Sequence, residues 1–218
     1  MSKKNGLNVP IFSLRSHLSG GIGEYLDLIP LMDWMKKRGF NLLQLLPIND
    51  SGQDPSPYNA LSAFALNPMY IRYEGFDAKD LNTLARVPYK AICELKERHL
   101  LESVVPNFDR SFLKTFIKNY PWIHNYAKFK ALKKKYYNLS WYDWPSDETI
   151  DEELVPYFIE QYLAYQQFSK VKQHAESLGI EILGDIPILI SPDSTAVWEN
   201  PGLFNLDLRA GAPPDQYN

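Results

Sequence analysis

The sequence contains one cysteine, four histidines and no long apolar run, and each shortage excludes a class of protein. The single cysteine, Cys93, rules out an internal disulfide and is typical of a protein from a reducing cytoplasm. The histidines show no metal-ligand spacing, so we expect no metal and no other cofactor. No apolar segment approaches the ~20 residues of a membrane-spanning helix, and no apolar stretch typical of a signal peptide follows the basic N-terminus.

The chain also lacks a strong charge of either sign. It has 23 Lys and Arg against 26 Asp and Glu, so nothing predicts binding to nucleic acid or to an anionic membrane. Glycines cluster at residues 19–24, but no Gly-Lys-Ser/Thr follows them and no dinucleotide spacing fits. Nucleotide binding is therefore disfavoured, and a flexible loop between a strand and a helix is the simpler interpretation.

Three short apolar runs predict buried strands of an α/β protein. The first lies within residues 8–14, the second at 41–48, and the third at 180–183 between two glycines. A helix is predicted over residues 28–38, with Asp27 as its N-terminal cap. A strand, a helix and a second strand at this spacing indicate a βα unit with parallel strands.

The segment between the second and third strands has a helical pattern. Apolar side chains recur at helical spacing in residues 108–139, and a long helix is predicted over about residues 153–178. The lysine triplet 133–135 is most simply a solvated helix end. Trp141 and Trp144 could form an aromatic surface for stacking a ligand, but tryptophans beside a proline more often seal a helical insert against its neighbour.

Asp185 is the most informative single residue. It follows the third strand and precedes a long loop rich in Pro, Asp, Ser and Gly. A carboxylate at the C-terminal end of a parallel strand is where α/β barrels place ligand-binding groups. A carboxylate that only caps the turn before Pro187 fits the same spacing.

Five short motifs then follow in order. They are Gly184-Asp185-Ile186-Pro187-Ile188, Asp193-Ser194, Val197-Trp198, Phe204-Asn205-Leu206-Asp207 and Gly211-Ala212-Pro213-Pro214-Asp215. This series resembles the 4-α-glucanotransferases (amylomaltase or disproportionating enzyme, glycoside hydrolase family 77). Earlier segments are similar to the same family, namely Ser56-Pro57-Tyr58, Ser62-Ala63-Phe64 and Trp141-Tyr142-Asp143-Trp144-Pro145.

The resemblance implies the first three strands of an incomplete (β/α)8 barrel, with a mainly helical inserted subdomain. Residues 1–69 would hold strands 1 and 2, residues 70–151 the insert, and residues 152–218 a helix, strand 3 and a loop at the active site. The implied activity is retaining transfer of α-1,4-glucan segments between malto-oligosaccharides or to glucose, in the cytoplasm. The implied partners are therefore α-glucans, with no nucleic acid and no membrane.

The same resemblance assigns site residues. Asp185 is expected to accept hydrogen bonds from sugar hydroxyls, and Tyr58 to line the glucan cleft. Ser56 and Asp215 are weaker candidates for substrate binding. The alternative for Tyr58 is that it packs its loop against the barrel, and two further matches, Asp193 and Asp207, are expected to stabilise loops.

No catalytic residue is expected within these 218 residues. A (β/α)8 barrel typically needs about 250 residues, and here the third strand begins only near residue 180. The family's nucleophilic Asp and acid/base Glu would lie beyond Asn218, so the chain is expected to be an N-terminal fragment that is inactive alone. Two alternatives stay open, a non-catalytic glucan-binding fragment and part of a related α-glucan hydrolase.

Overall fold

Three short parallel strands form one sheet in the order β1-β2-β3. They are β1, Gly6–Val9; β2, Leu42–Leu45; and β3, Glu181–Leu183. Leu43 of β2 lies opposite Leu7 of β1 on one side and Ile182 of β3 on the other. This computed structural model describes residues 4–145, 154–208 and 211, and it confirms the predicted α/β class.

Six α-helices accompany the sheet in the part of the chain that the structure describes. They are α1, Leu28–Lys37; α2, Tyr89–His99; α3, Ser111–Asn119; α4, Ile123–Lys135; α5, Val155–Leu178; and α6, Thr195–Glu199. The helices α1 and α5 pack against each other, and α5 also contacts α3 and α4. The helix α5 ends at Gly179, which takes a left-handed conformation with φ 65° and leads directly into β3.

One hydrophobic core connects the sheet with the helices. Its fully buried members include Leu43 of β2, Met32 of α1, Ile123 of α4 and Ile159 of α5. Because the helices α1 and α5 cover the same core, their apolar stripes are used for packing, as their 3.6-residue period predicts.

The first strand was predicted within residues 8–14, but it begins and ends earlier in the sequence. The strand β1 ends at Val9, and Ile11–Ser13 form a 3-10 turn. Pro10 explains the difference, because it has no N–H group to donate to a neighbouring strand. The apolar run therefore continues past the strand into a turn that places Ile11 in the core.

The third strand lies where it was predicted, but it is not buried. Glu181 and Leu183 are exposed, and Ile182 is partly exposed. Within the described residues β3 pairs only with β2, so it forms an edge of the sheet. Several apolar side chains after it are also exposed, among them Ile186, Ile188, Leu189 and Ile190.

The glycine-rich segment 19–24 is tightly packed, and its predicted flexibility was wrong. Ser19 and Ile22 are fully buried, and a Cβ atom on Gly23 would lie 1.8 Å from the carbonyl oxygen of Ile11. Asp27 does not cap α1 with its side chain. Its carboxylate instead accepts hydrogen bonds from both Ser16 and Ser19 and pairs with Arg72.

Lys133 also differs from its predicted solvated position. Its side chain is 8% exposed, and its ammonium group pairs with Asp193 at 2.6 Å. It also donates to the carbonyl oxygens of Asn138 and Leu139, each at 3.0 Å. A buried ammonium is stable here because a carboxylate and two carbonyls replace water.

Candidate functional site

Tyr58 and Asp185 meet at the C-terminal end of the sheet, although 127 residues separate them in sequence. The Tyr58 hydroxyl donates a hydrogen bond of 2.9 Å to Asp185 Oδ2. This hydrogen bond raises the pKa of Tyr58, so the side chain is a neutral donor at physiological pH. Tyr58 is 46% exposed, so about half of the side chain packs against the protein and the other half is accessible.

Asp185 also makes the contact expected of a turn residue. Its Oδ1 atom accepts the backbone N–H of Ile186 at 2.9 Å. The carboxylate therefore stabilises the start of its loop with one oxygen and holds Tyr58 with the other. A half-buried carboxylate that is held in this way remains accessible as an acceptor for a ligand hydroxyl.

The loop that carries Tyr58 is organised by a carboxylate that sequence reasoning missed. Asp54 Oδ1 accepts the backbone N–H of Ser56 at 2.8 Å, and its Oδ2 accepts the side-chain amide of Asn59 at 2.7 Å. These contacts lie on both sides of Tyr58 in sequence. The only signal in the sequence is an Asp two residues before Ser56, which is the spacing of an Asx turn.

Asp50 anchors the beginning of the same loop and was also missed. It is fully buried, and its Oδ2 atom accepts from the Tyr126 hydroxyl at 2.7 Å and from the Lys130 ammonium at 2.8 Å. Its Oδ1 atom accepts the N–H of Gly52 at 2.8 Å. Burial lowers the pKa of Lys130, but the charge of Asp50, the charge of Glu160 and the hydrogen bond to Asp50 together outweigh burial and raise that pKa, so the pair remains ionic.

The other predicted residues have different positions. Ser56 is exposed and contributes its backbone N–H to Asp54, while Asp215 lies outside the described residues. Asp193 accepts from Lys133 and, at 3.3 Å, from the N–H of Trp141, which are contacts of a loop-stabilising residue. Asp207 is exposed.

The two tryptophans make protein contacts. The Trp141 indole donates to the carbonyl oxygen of Pro192 at 2.9 Å. The Trp144 ring packs against Phe129 and Trp198, with centroid distances of 5.4 and 6.2 Å. Both rings therefore connect their segment to the chain that follows β3.

A small pocket of about 310 Å³ lies beside Asp185. It is formed by Leu45, Leu46, Ile48, Phe168, Lys172, Ile182, Gly184 and Asp185. Mainly apolar walls with one carboxylate and one lysine suit a ligand that has both C–H surface and hydroxyl groups. A larger cleft of about 1210 Å³ is lined by neither Tyr58 nor Asp185.

That larger cleft contains the described carboxyl group with the clearest upward pKa shift. Burial raises the pKa of Glu160 to about 7, and burial raises the pKa of the Cys93 thiol to about 11. Cys93 is thus a neutral thiol near pH 7, as a packing role predicts and as a nucleophile would not be.

Replacing Glu160 by Gln is expected to stabilise the protein at pH 8 but not at pH 5. The folded-state pKa of about 7 lies above the ordinary value of 4.5, so the folded state retains a proton that the unfolded chain loses. Glu160 therefore reduces stability as the pH rises from about 4.5 to about 7, by about 3 kcal/mol.

Thermal unfolding of both proteins at pH 5 and pH 8 measures this difference. The exposed Glu102→Gln variant serves as the matched control, for which no pH-dependent gain is expected. An equal shift for Glu160→Gln at the two pH values would contradict the assignment.

Neither a metal-binding cluster nor a membrane-spanning helix is found in the described part of the chain. No group of three or more His, Cys, Asp or Glu side chains there could hold a metal ion. Among the described helices, none is both long enough and apolar enough to cross a membrane.

The fold and the geometry together define an α/β protein with a polar site at the carboxyl edge of a parallel sheet. Comparison with known proteins gives the family. A family profile described as 4-alpha-glucanotransferase (glycoside hydrolase family 77) matches residues 9–218. The chain therefore belongs to the 4-α-glucanotransferase family.

Individual relatives agree with this assignment. The 4-alpha-glucanotransferase of Chlamydia trachomatis is 36% identical over an alignment of 251 positions, which covers 100% of this chain and 47% of the relative. An amylomaltase from Streptococcus agalactiae, solved in complex with acarbose, superposes with a TM-score of 0.80 at 28% identity, covering 94% of this chain and 48% of that one. The amylomaltase of Corynebacterium glutamicum shares the fold, with a TM-score of 0.75 at 21% identity over 90% of this chain and 32% of that one.

The chain spans about half the length of the Chlamydia trachomatis and Streptococcus agalactiae proteins and about a third of the Corynebacterium glutamicum one.

Proposed function

We propose that these 218 residues form the donor-sugar part of a 4-α-glucanotransferase, which transfers α-1,4-glucan segments between malto-oligosaccharides or to glucose. The observation that carries this proposal is the meeting of Tyr58 and Asp185 at 2.9 Å, at the carboxyl edge of the sheet. Carboxyl ends of parallel strands are where (β/α) enzymes bind their substrates. Family membership supports α-glucan as the ligand class.

Membership of the family also supports a proposal for the architecture of the chain. The three strands are the first three of a (β/α)8 barrel, residues 70–151 are a helical insert, and residues 152–218 continue the barrel. The protein acts in the cytoplasm, for which the single cysteine is the supporting feature.

The proposed chemistry is a retaining double displacement. Such a reaction needs two carboxyl groups about 5–5.5 Å apart, one to attack the anomeric carbon and one to protonate the leaving oxygen. We assign the nucleophilic Asp and the acid/base Glu to the part of the family sequence that this chain does not match. The resulting covalent glucosyl-enzyme is attacked by the hydroxyl of a second glucan in place of water.

Within this chain, Asp185 and Tyr58 bind the donor sugar. The Asp185 carboxylate accepts hydrogen bonds from sugar hydroxyls, and the half-exposed Tyr58 ring supplies apolar surface beside it. We expect acarbose, the ligand of the Streptococcus agalactiae structure, to bind at the same place. Ser56 and Asp215 remain weaker candidates for contacts to the substrate.

A glucose-release assay on maltotriose tests this function. It compares the 218 residues with an extended protein, defined as this chain joined to the part of the Chlamydia trachomatis relative that it does not match. We expect glucose from the extended protein and none from the 218 residues alone. Activity in the 218 residues would contradict our placement of the two catalytic carboxyl groups.

The same assay separates the alternatives. Transfer keeps the number of reducing ends constant while glucose and longer glucans appear, whereas hydrolysis increases that number. An increase would therefore indicate a related hydrolase. An inactive extended protein that still binds maltoheptaose in calorimetry would indicate a glucan-binding protein.

A further inference from the structure

Two loops converge on the candidate site. The first site loop, residues 49–67, carries Tyr58, and the second site loop, residues 184–194, carries Asp185. Each loop also contains a carboxylate that does not face the Tyr58–Asp185 contact, namely Asp50 in the first loop and Asp193 in the second. Both of these carboxylates pair with lysines of a single helix, α4.

The two lysines are Lys130 and Lys133, which are three residues apart and therefore lie on one face of α4. Lys130 pairs with Asp50 at 2.8 Å, with side-chain exposures of 17% and 1%. Lys133 pairs with Asp193 at 2.6 Å, with exposures of 8% and 24%. Charge-assisted hydrogen bonds in such poorly solvated positions are short and strong.

A contact between the first site loop and the first residue of α6, which directly follows the second site loop, completes a closed arrangement. The carbonyl oxygen of Leu61 accepts the Thr195 N–H at 2.8 Å and the Thr195 hydroxyl at 3.0 Å. The N–H of Leu61 in turn donates to the carbonyl oxygen of Asp50 at 2.7 Å. A continuous path thus runs from Lys130 through Asp50, Leu61 and Thr195 to Asp193, and returns to α4 at Lys133.

This arrangement fixes the separation of the two loops. A helix is a rigid spacer with a rise of about 1.5 Å per residue, so the backbones of Lys130 and Lys133, which bind Asp50 and Asp193, are held about one helical turn apart. Tyr58 lies between Asp50 and Leu61 in sequence, and Asp185 lies eight residues before Asp193. The positions of both site residues therefore depend on the same helix.

We propose that Lys130 and Lys133 are positioning residues, which set the separation of the two site loops so that Tyr58 and Asp185 face one donor sugar. They act through Asp50 and Asp193 and do not touch the substrate. This inference rests on the proposed function, because it assigns the purpose of the Tyr58–Asp185 contact to glucan binding.

Kinetics of the extended protein on maltotriose test the proposal with the variant Lys133→Met. We expect KM to rise about tenfold while kcat changes by less than about twofold. A displaced loop weakens contacts to the sugar that are equally strong in the bound substrate and in the transition state, so binding is lost but the chemical step is not slowed. In a Tyr58→Phe background the same change should raise KM by less than about threefold, because the contact that Lys133 supports is already lost. Lys133→Arg keeps the charge and should restore most of the affinity.

Lys134→Met is the matched control. Lys134 is the next residue of α4 and pairs with Glu97 on the surface, with exposures of 53% and 44%, so KM should not change. If Lys133→Met does not fold, Thr195→Val removes the hydroxyl contact to Leu61 without unpairing a charge, and the same dependence on Tyr58 is expected.

The outcomes separate the two claims. Suppose that the extended protein is active, and that Lys133→Met or Thr195→Val raises KM by the same factor with Tyr58 as with Phe at that position. This result would overturn the inference alone, because a general stabilising role gives independent effects. An inactive parent extended protein, beside an active Chlamydia trachomatis relative, would overturn the proposed function and this inference with it.

Discussion

Replacing Asp185 by Asn in the extended protein is expected to lower kcat/KM for maltotriose by about a hundredfold. The substitution keeps the shape of the side chain but removes its charge, and hydrogen bonds to charged groups contribute about 1.5–3 kcal/mol each. The loss affects the Tyr58 hydroxyl as well as the sugar, since Tyr58 donates to the same carboxylate. Steady-state kinetics with maltotriose as donor and acceptor measure the effect.

The control is Asp77→Asn, which removes the charge of a carboxylate that is 69% exposed and 3.9 Å from the ammonium group of Lys79. Its kinetics should equal those of the parent. If Asp185→Asn were as active as Asp77→Asn, the carboxylate after β3 would only cap its turn, and the donor site would lie elsewhere.

Replacing Gly23 by Ala is expected to prevent folding or to lower the free energy of unfolding by at least about 3 kcal/mol, the upper end of the usual cost of overpacking. The added Cβ atom would lie 1.8 Å from a backbone carbonyl oxygen, that of Ile11. Backbone cannot move aside as a flexible side-chain end can, so the loop must separate from the turn that carries Ile11.

Gly202→Ala is the matched control, because no atom lies within 4 Å of the position that its Cβ would occupy. Urea unfolding of both variants gives the free energies. Equal stability of the two variants would show that segment 19–24 is loosely packed, as the sequence alone suggested.

Much of the fold could be predicted from local patterns. Residues 28–38 and 153–178 have helical periodicity, and each predicted helix agrees with the structure to within two residues at either end. The first strand was misplaced because its apolar run extends through Pro10, and hydrophobicity does not show where pairing stops. The burial of β3 was overestimated, because its sequence does not show that β3 has only one neighbour among the described residues.

The site was only partly predictable. Asp185 could be proposed from its place after a strand, whereas Tyr58 required the family's Ser-Pro-Tyr motif. The contacts of Asp50 and Lys133 join residues 60 to 80 positions apart, and no local pattern encodes such pairs. A run of three lysines predicts solvent exposure, and only the folded chain shows that a carboxylate and two carbonyls surround one of them.

The central claim is that Tyr58 and Asp185 bind the donor sugar, and a crystal structure of the extended protein with acarbose tests it most directly. We predict a sugar hydroxyl within about 3 Å of the Asp185 carboxylate, a normal hydrogen-bond distance, with the Tyr58 ring beside the same sugar. Acarbose bound in the larger cleft beside Glu160, with Asp185 still held only by Tyr58 and Ile186, would contradict the account.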